Sequence, residues 1–181
     1  MKKLVLGALL LGLGTTVFGA TLQKGLNEAK LEASTDFRQD AYDFVPLQGT
    51  FGYFIADNLE VGGLLGFRKA AWKSYWVTGS VWTLGAFGEY HFDVDFPVHP
   101  YVGASIAMLD GEKGNDTVAQ ATASGGVKLF LSESFAVSAA ATLNWSDKEI
   151  YNVDVDYVNG KADRSGDQVG VTFELGLRYY F

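Results

Sequence analysis

Val169-Gly170-Val171-Thr172-Phe173-Glu174-Leu175-Gly176-Leu177-Arg178-Tyr179-Tyr180-Phe181 is the stretch that decides the fold. Its odd positions, Val169, Val171, Phe173, Leu175, Leu177, Tyr179 and Phe181, are all apolar. Its even positions are Gly170, Thr172, Glu174, Gly176, Arg178 and Tyr180. Alternation with period two marks a strand whose two faces meet unlike surroundings. Strands of soluble sheets are usually shorter, about 5–6 residues. Crossing a bilayer takes about 9–11, and this stretch is long enough.

The same alternation recurs upstream. The segments near 47–55, 59–68, 82–92, 101–108, 126–131 and 137–145 each place apolar side chains on one face. The weakest sets Ala29, Leu31, Ala33, Thr35 and Phe37 against Lys30, Glu32, Ser34 and Asp36. Together with the final stretch they predict an all-β chain, an eight-stranded antiparallel up-and-down transmembrane β-barrel. Short turns at Ala56-Asp57-Asn58 and Ser132-Glu133-Ser134 alternate with longer polar connections near 69–76, 110–121 and 148–167. Bacterial barrels have short periplasmic turns and longer external loops, and an even strand count puts both ends in the periplasm. Pro97 and Pro100 are expected to bar strand pairing in the long turn from Asp93 to Pro100. Asn159-Gly160 is a strong hairpin turn, and centring the last hairpin there pairs Val158 with Lys161 and Ser138 with Phe181.

The first residues read as a signal peptide. Lys2 and Lys3 precede an apolar run from Leu4 to Leu13, which is too short to span a bilayer. Cleavage is expected after Gly19 or Ala20, leaving residues 20–181 as one barrel domain. Without Lys2 and Lys3, 12 basic residues face 21 acidic ones, a formal charge of −9, which argues against a nucleic-acid partner. There is no cysteine, so neither a disulfide framework nor thiolate chemistry is available. No run of apolar residues after position 20 is long enough for a helical span, but barrels escape that test because their two faces average out.

Three stretches resemble the small eight-stranded outer-membrane proteins, the OmpA-type barrel domain and its OmpX-like relatives. Gly52-Tyr53-Phe54-Ile55-Ala56-Asp57-Asn58-Leu59-Glu60-Val61-Gly62 is similar to that family's strand–turn–strand hairpin. Pro100-Tyr101-Val102-Gly103-Ala104 is similar to its strand opening after a periplasmic turn. Leu177, Tyr179 and Phe181 are similar to the C-terminal signal read by the barrel assembly machinery. The resemblance implies an outer-membrane location, lipid and lipopolysaccharide as surroundings, and a monomer. The peptidoglycan-binding domain of full-length OmpA-type proteins is not matched, so wall anchoring is not implied.

The alternation sends charges of both signs into the interior: Lys30, Glu32, Asp36, Glu60, Arg68, Glu89, Lys128, Glu174 and Arg178. Such groups are expected to pair, because a lone buried charge is costly. Phe54, Phe87, Tyr101, Phe130 and Tyr180 are expected to fill space beside them, while inward glycines at 52, 62, 66, 85, 103, 126, 170 and 176 are candidates for gaps. Trp72, Tyr75, Trp76 and Trp145 are expected in an outer aromatic girdle, with Tyr90 and Phe92 in an inner one. His91 and His99 both fall near the periplasmic end, far from where a lipid-modifying barrel enzyme needs its base. His91 is expected in the interior network and His99 as an exposed turn residue. No catalytic residue, cofactor or protein metal site is expected. The acidic positions Asp110, Glu112, Asp116, Asp147, Glu149, Asp154, Asp156, Asp163 and Asp167 read as a solvated face rather than a calcium loop, whose spacing they miss by one residue. The functional expectation is a structural or surface-interaction barrel with a plugged interior, serving envelope integrity or adhesion. The alternative is a narrow passive channel for small solutes.

Overall fold

The computed structural model describes residues 22–35, 42–43, 47–71, 78–94, 98–111, 117–147, 155–156, 161–162 and 169–181. Eight long strands make the body: β1 (Asn27–Thr35), β2 (Leu47–Ala56), β3 (Leu59–Ala71), β4 (Thr78–His91), β5 (Val98–Gly111), β6 (Val118–Ser132), β7 (Phe135–Ser146) and β8 (Val169–Tyr180). Each pairs antiparallel with the next, and β8 pairs with β1, so the sheet closes on itself. Closure satisfies every strand's edge without a second sheet.

The stagger of the closed sheet can be read from its register. From Val98 the ladder runs through Leu129, Val137, Leu177, Leu31, Gly49, Leu65 and Leu84, and returns to β5 at Met108. The circuit ends 108 − 98 = 10 residues from its start. With eight strands, that stagger sets a tilt of about 40° and an interior just wide enough for side chains. All the residues on this circuit are apolar or glycine, and all point outward. Ile106, Leu84 and Leu175 are 69%, 68% and 68% exposed, part of a continuous apolar belt that an aqueous surface does not tolerate.

The periplasm-type end carries two tight turns, Asp57-Asn58 between β2 and β3 and Glu133-Ser134 between β6 and β7. Asn58 takes the left-handed conformation, φ 63°, which asparagine tolerates better than most residues. Pro100 pairs with Val127 inside β5, contrary to the expectation that it bars pairing. Its carbonyl accepts the Phe92 N–H at 2.9 Å, and near the strand's first residue its missing N–H costs little.

The last hairpin also differs from its sequence reading. Ser138 faces Gly176, not Phe181, a difference of five residues. Directly opposed residues of an antiparallel pair share a face, and Ser138 points inward while Phe181 points outward. Face parity therefore rules out the expected register, and Asn159-Gly160 themselves lie outside the described residues. Phe181 instead exchanges backbone hydrogen bonds with Asn27 at 3.0 and 3.1 Å. Beyond the barrel, Asp156 rather than Val158 pairs with Lys161.

The inward glycines at 52, 62 and 126 do not leave gaps, while Gly66 lines a cavity in the upper interior. A Cβ on Gly52 would stand 1.8 Å from Glu60 Oε1, and one on Gly126 would stand 2.7 Å from Tyr101 Cζ. Gly62 likewise lies under the Phe87 ring. These glycines make room for large neighbours from the facing strands.

Candidate functional site: the barrel interior

Three layers stack along the inside. The lowest is apolar. Phe54, Phe130, Ala136 and Tyr180 meet Leu22, which reaches in from the segment preceding β1, with Leu26 beside them. That segment is tied to the β2–β3 turn: Asn58 N–H donates to Leu22 O, Gly25 N–H to Phe54 O, and Lys24 N–H to Asp57 Oδ1, each at 2.9 Å. His99 belongs here too. It is 6% exposed, edge-on to Phe130 at 5.2 Å, and so is not the exposed turn residue expected of it. Its strand begins before Pro100, which carries the ring inward.

The middle layer is ionic. Arg178 donates through Nη1 to Glu28 Oε1 at 3.0 Å and to Glu89 Oε2 at 2.7 Å, and through Nη2 to Glu89 Oε1 at 3.3 Å. Lys30 bridges Glu89 at 2.8 Å and Glu32 at 3.1 Å. Lys128 donates to Glu28 at 3.2 Å and to the Tyr180 hydroxyl at 3.0 Å. Tyr101 lies under the guanidinium, its ring centroid 4.6 Å from Arg178 Cζ. Facing cross-strand partners of β1 and β8 supply much of this layer: Lys30 sits opposite Arg178, and Glu28 opposite Tyr180.

The charges in this layer are uneven. Glu28, Glu32, Glu60 and Glu89 stand against Lys30, Lys128 and Arg178. The extra acid is Glu60, whose Oε2 lies 3.2 Å from His91 Nε2. Lys128 Nζ lies 3.3 Å from the same nitrogen. One ring nitrogen cannot both donate to Glu60 and accept from Lys128. A single proton shared by Glu60 and His91 balances the layer. Glu60, Glu89 and His91 also present atoms within 4.8 Å of one another, the spacing of a metal centre. A cation there would face Arg178, which already holds Glu89, and Lys128, which lies 3.3 Å from His91 Nε2, so the donor set suits a proton better than a metal ion.

The upper layer is polar and holds a cavity of about 140 Å³. Its wall includes Glu32, Glu174, Thr50, Thr142, Asn144 and Thr172. Thr122 and Gln120 donate to Asn144 Oδ1 at 2.8 and 3.0 Å.

Of the nine interior charges read from the sequence, the structure brings Lys30, Glu32, Glu60, Glu89, Lys128 and Arg178 into the ionic layer and sets Glu174 on the cavity wall above it. Asp36 and the Arg68 side chain lie outside the described residues, as do Trp72, Tyr75 and Trp76. Trp145, Tyr90 and Phe92 point outward, and so do Leu177, Tyr179 and Phe181, where Tyr179 stacks on Phe181 at 5.7 Å. Glu28 was missed because the strand was read from Ala29; extending the inward set by one step from Lys30 reaches it. Among the acidic loop positions, Asp147 is taken up by structure, its Oδ1 accepting the Ala119 N–H at 2.9 Å. Glu112, Asp116, Glu149, Asp154, Asp163 and Asp167 lie outside the described residues.

No protein-family profile matches the chain, and no curated protein matches it. Solved structures do. The N-terminal β-barrel domain of Pseudomonas aeruginosa OprF aligns at 19% identity and a TM-score of 0.54, over 87% of this chain and 98% of that one. Neisserial surface protein A aligns at 19% identity and a TM-score of 0.57, over 86% and 95%. A de novo designed transmembrane β-barrel aligns at 14% identity and a TM-score of 0.58, over 89% and 99%. The fold is that of a small outer-membrane β-barrel. At these identities the likeness extends to the fold and no further. That a designed sequence shares it shows how little the fold says about function; the interior side chains carry that question.

Proposed function

We propose that the protein is a monomeric outer-membrane barrel with a plugged interior, serving envelope integrity or surface interaction rather than solute passage or catalysis. The observation that carries this reading is the pair of stacked lower layers. Arg178, Lys128, Tyr180, Phe54 and Phe130 are buried across the inside, each held by partners from facing strands. An eight-stranded interior has little room beside them. The apolar belt suits the hydrocarbon of a membrane, with Trp145 at one rim and Tyr90 and Phe92 at the other. Leu177, Tyr179 and Phe181 would be read by the barrel assembly machinery, and lipopolysaccharide would surround the outer rim. The pairing of 155–156 with 161–162 beyond the barrel end supports a displayed hairpin as the contact surface for a partner. A catalytic role is disfavoured by the histidines: His91 is bound into the ionic layer and His99 is packed on Phe130.

Liposome swelling tests this reading. Vesicles carrying the refolded 20–181 chain should swell in small sugars and amino acids no faster than empty ones. Swelling proportional to inserted protein would favour the second reading, a narrow channel. That reading draws on the upper cavity, and it requires Arg178 and Lys128 to leave their carboxylates.

A further inference from the structure

We propose that the upper cavity is a binding site for a small cation, an ammonium group or an alkali-type metal ion, with Glu174 as its counter-charge. Charge, an unpartnered hydroxyl and the shape of the wall point the same way.

Charge comes first. Lys30 already serves Glu32 and Glu89, and Arg178 serves Glu28 and Glu89. Glu174 lines the cavity, half-buried, and makes no ion pair among the described residues. A half-buried carboxylate with no ion pair among the described residues is costly, and a bound cation removes that cost. Among the described residues the same count disfavours an anion, because Lys30, the cation on the wall, is doubly committed.

Thr50 is the second, independent sign. It lines the cavity and is 8% exposed, yet its Oγ1 has no hydrogen-bond partner among the described residues. A buried hydroxyl left unsatisfied is unusual and calls for an unseen partner. Next, the wall carries oxygen atoms held in fixed positions. Asn144 Nδ2 faces the hydroxyls of Thr142 and Thr172 at 3.3 and 3.4 Å, and those two hydroxyls bond to each other. Asn144 thereby holds both threonines in place beside Glu174. A cavity of about 140 Å³ with polar walls holds water or a small solute, not a vacuum. It lacks a free aromatic platform for a sugar, since Phe87 lies under Lys30. Occupancy of this site is independent of whether the barrel conducts.

The test uses the folded 20–181 chain in detergent micelles, titrated separately with methylammonium chloride and potassium chloride. Tetramethylammonium, which has no N–H donor and is bulkier, keeps the ionic strength constant. The readout is the NMR shift of the Thr50, Thr142 and Thr172 methyl groups. Saturable shifts in these methyls are expected, tighter for methylammonium if an ammonium group is the natural occupant and tighter for potassium if a metal ion is. Glu174→Gln, nearly isosteric, should weaken the affinity by about tenfold or more, the loss of one charge-assisted contact. Thr50→Val keeps the fold's shape and should weaken it by a smaller, measurable factor, so the site stays testable should Glu174→Gln not fold. Shifts that never saturate, or affinities unchanged in either folded variant, overturn the proposal.

Discussion

Replacing Arg178 with Gln removes the cation that two buried carboxylates share. Glu28 and Glu89 then lose contacts of 3.0 and 2.7 Å, and Lys30 and Lys128 remain against Glu28, Glu32 and Glu89, with Glu60 and His91 sharing a proton. Breaking a buried pair from one side costs about 3–5 kcal/mol, because the abandoned charge stays desolvated. Gln restores one donor at most, so about 3–4 kcal/mol is expected for Arg178→Gln, a few-hundred-fold to about thousandfold change in the folded-to-unfolded ratio. Glu60→Gln is the control. It removes the surplus acid and leaves His91 a neutral partner at 3.2 Å, so a change within about 1 kcal/mol is expected. Equilibrium urea unfolding in micelles, followed by tryptophan fluorescence and by heat-modified gel mobility, measures both. A double-mutant cycle with Glu89→Gln should recover part of the Arg178→Gln loss. The charge count is wrong if Arg178→Gln costs less than about 1 kcal/mol, or if Glu60→Gln costs as much as it does.

Gly126→Ala would press a Cβ against Tyr101 and the Ala139 carbonyl, at an expected cost of about 1–3 kcal/mol. Gly125→Ala, on the outward face with nothing within 4 Å, should be nearly neutral in the same unfolding assay. Leu22→Ala removes the residue that completes the apolar floor and should cost about 2–3 kcal/mol; a neutral result would show that the segment before β1 does not seat there in solution. Ile106→Arg, exposed on the belt, should destabilise the chain in lipid bilayers by about 2–4 kcal/mol, and no cost would mean that the belt does not face hydrocarbon.

The fold was legible because the two faces of each strand meet different media, and alternation of the kind seen from Val169 to Phe181 survives in the residue types. Register was less legible. Asn159-Gly160 is a strong local signal, but tertiary pairing obeys face parity and the ionic layer, which tie Ser138 to Gly176. The inward charges were visible wherever the strand limits were right, and Glu28 fell just outside one. His99 was misjudged because Pro97 and Pro100 suggested a turn, while Pro100 needs only its carbonyl to join the ladder. The floor formed by Leu22 and Leu26 had no periodicity to betray it, since that segment is neither strand nor helix. The glycines stand as candidates for gaps in the sequence because it does not show which facing side chain leans over them; Glu60 over Gly52 is known only once β2 and β3 are in register.

The central claim is that the ionic layer and the apolar floor close the barrel, and single-channel recording tests it most directly. Refolded 20–181 protein, shown by protease protection to be inserted in a planar bilayer, should give no discrete conductance steps over minutes at moderate voltage. Arg178→Gln should lower heat stability and stay silent, because Lys128, Tyr180 and the floor still fill the section. Reproducible steps from the unaltered protein, abolished or altered in selectivity by Arg178→Gln without loss of stability, would contradict the account and make the ionic layer a conduction path.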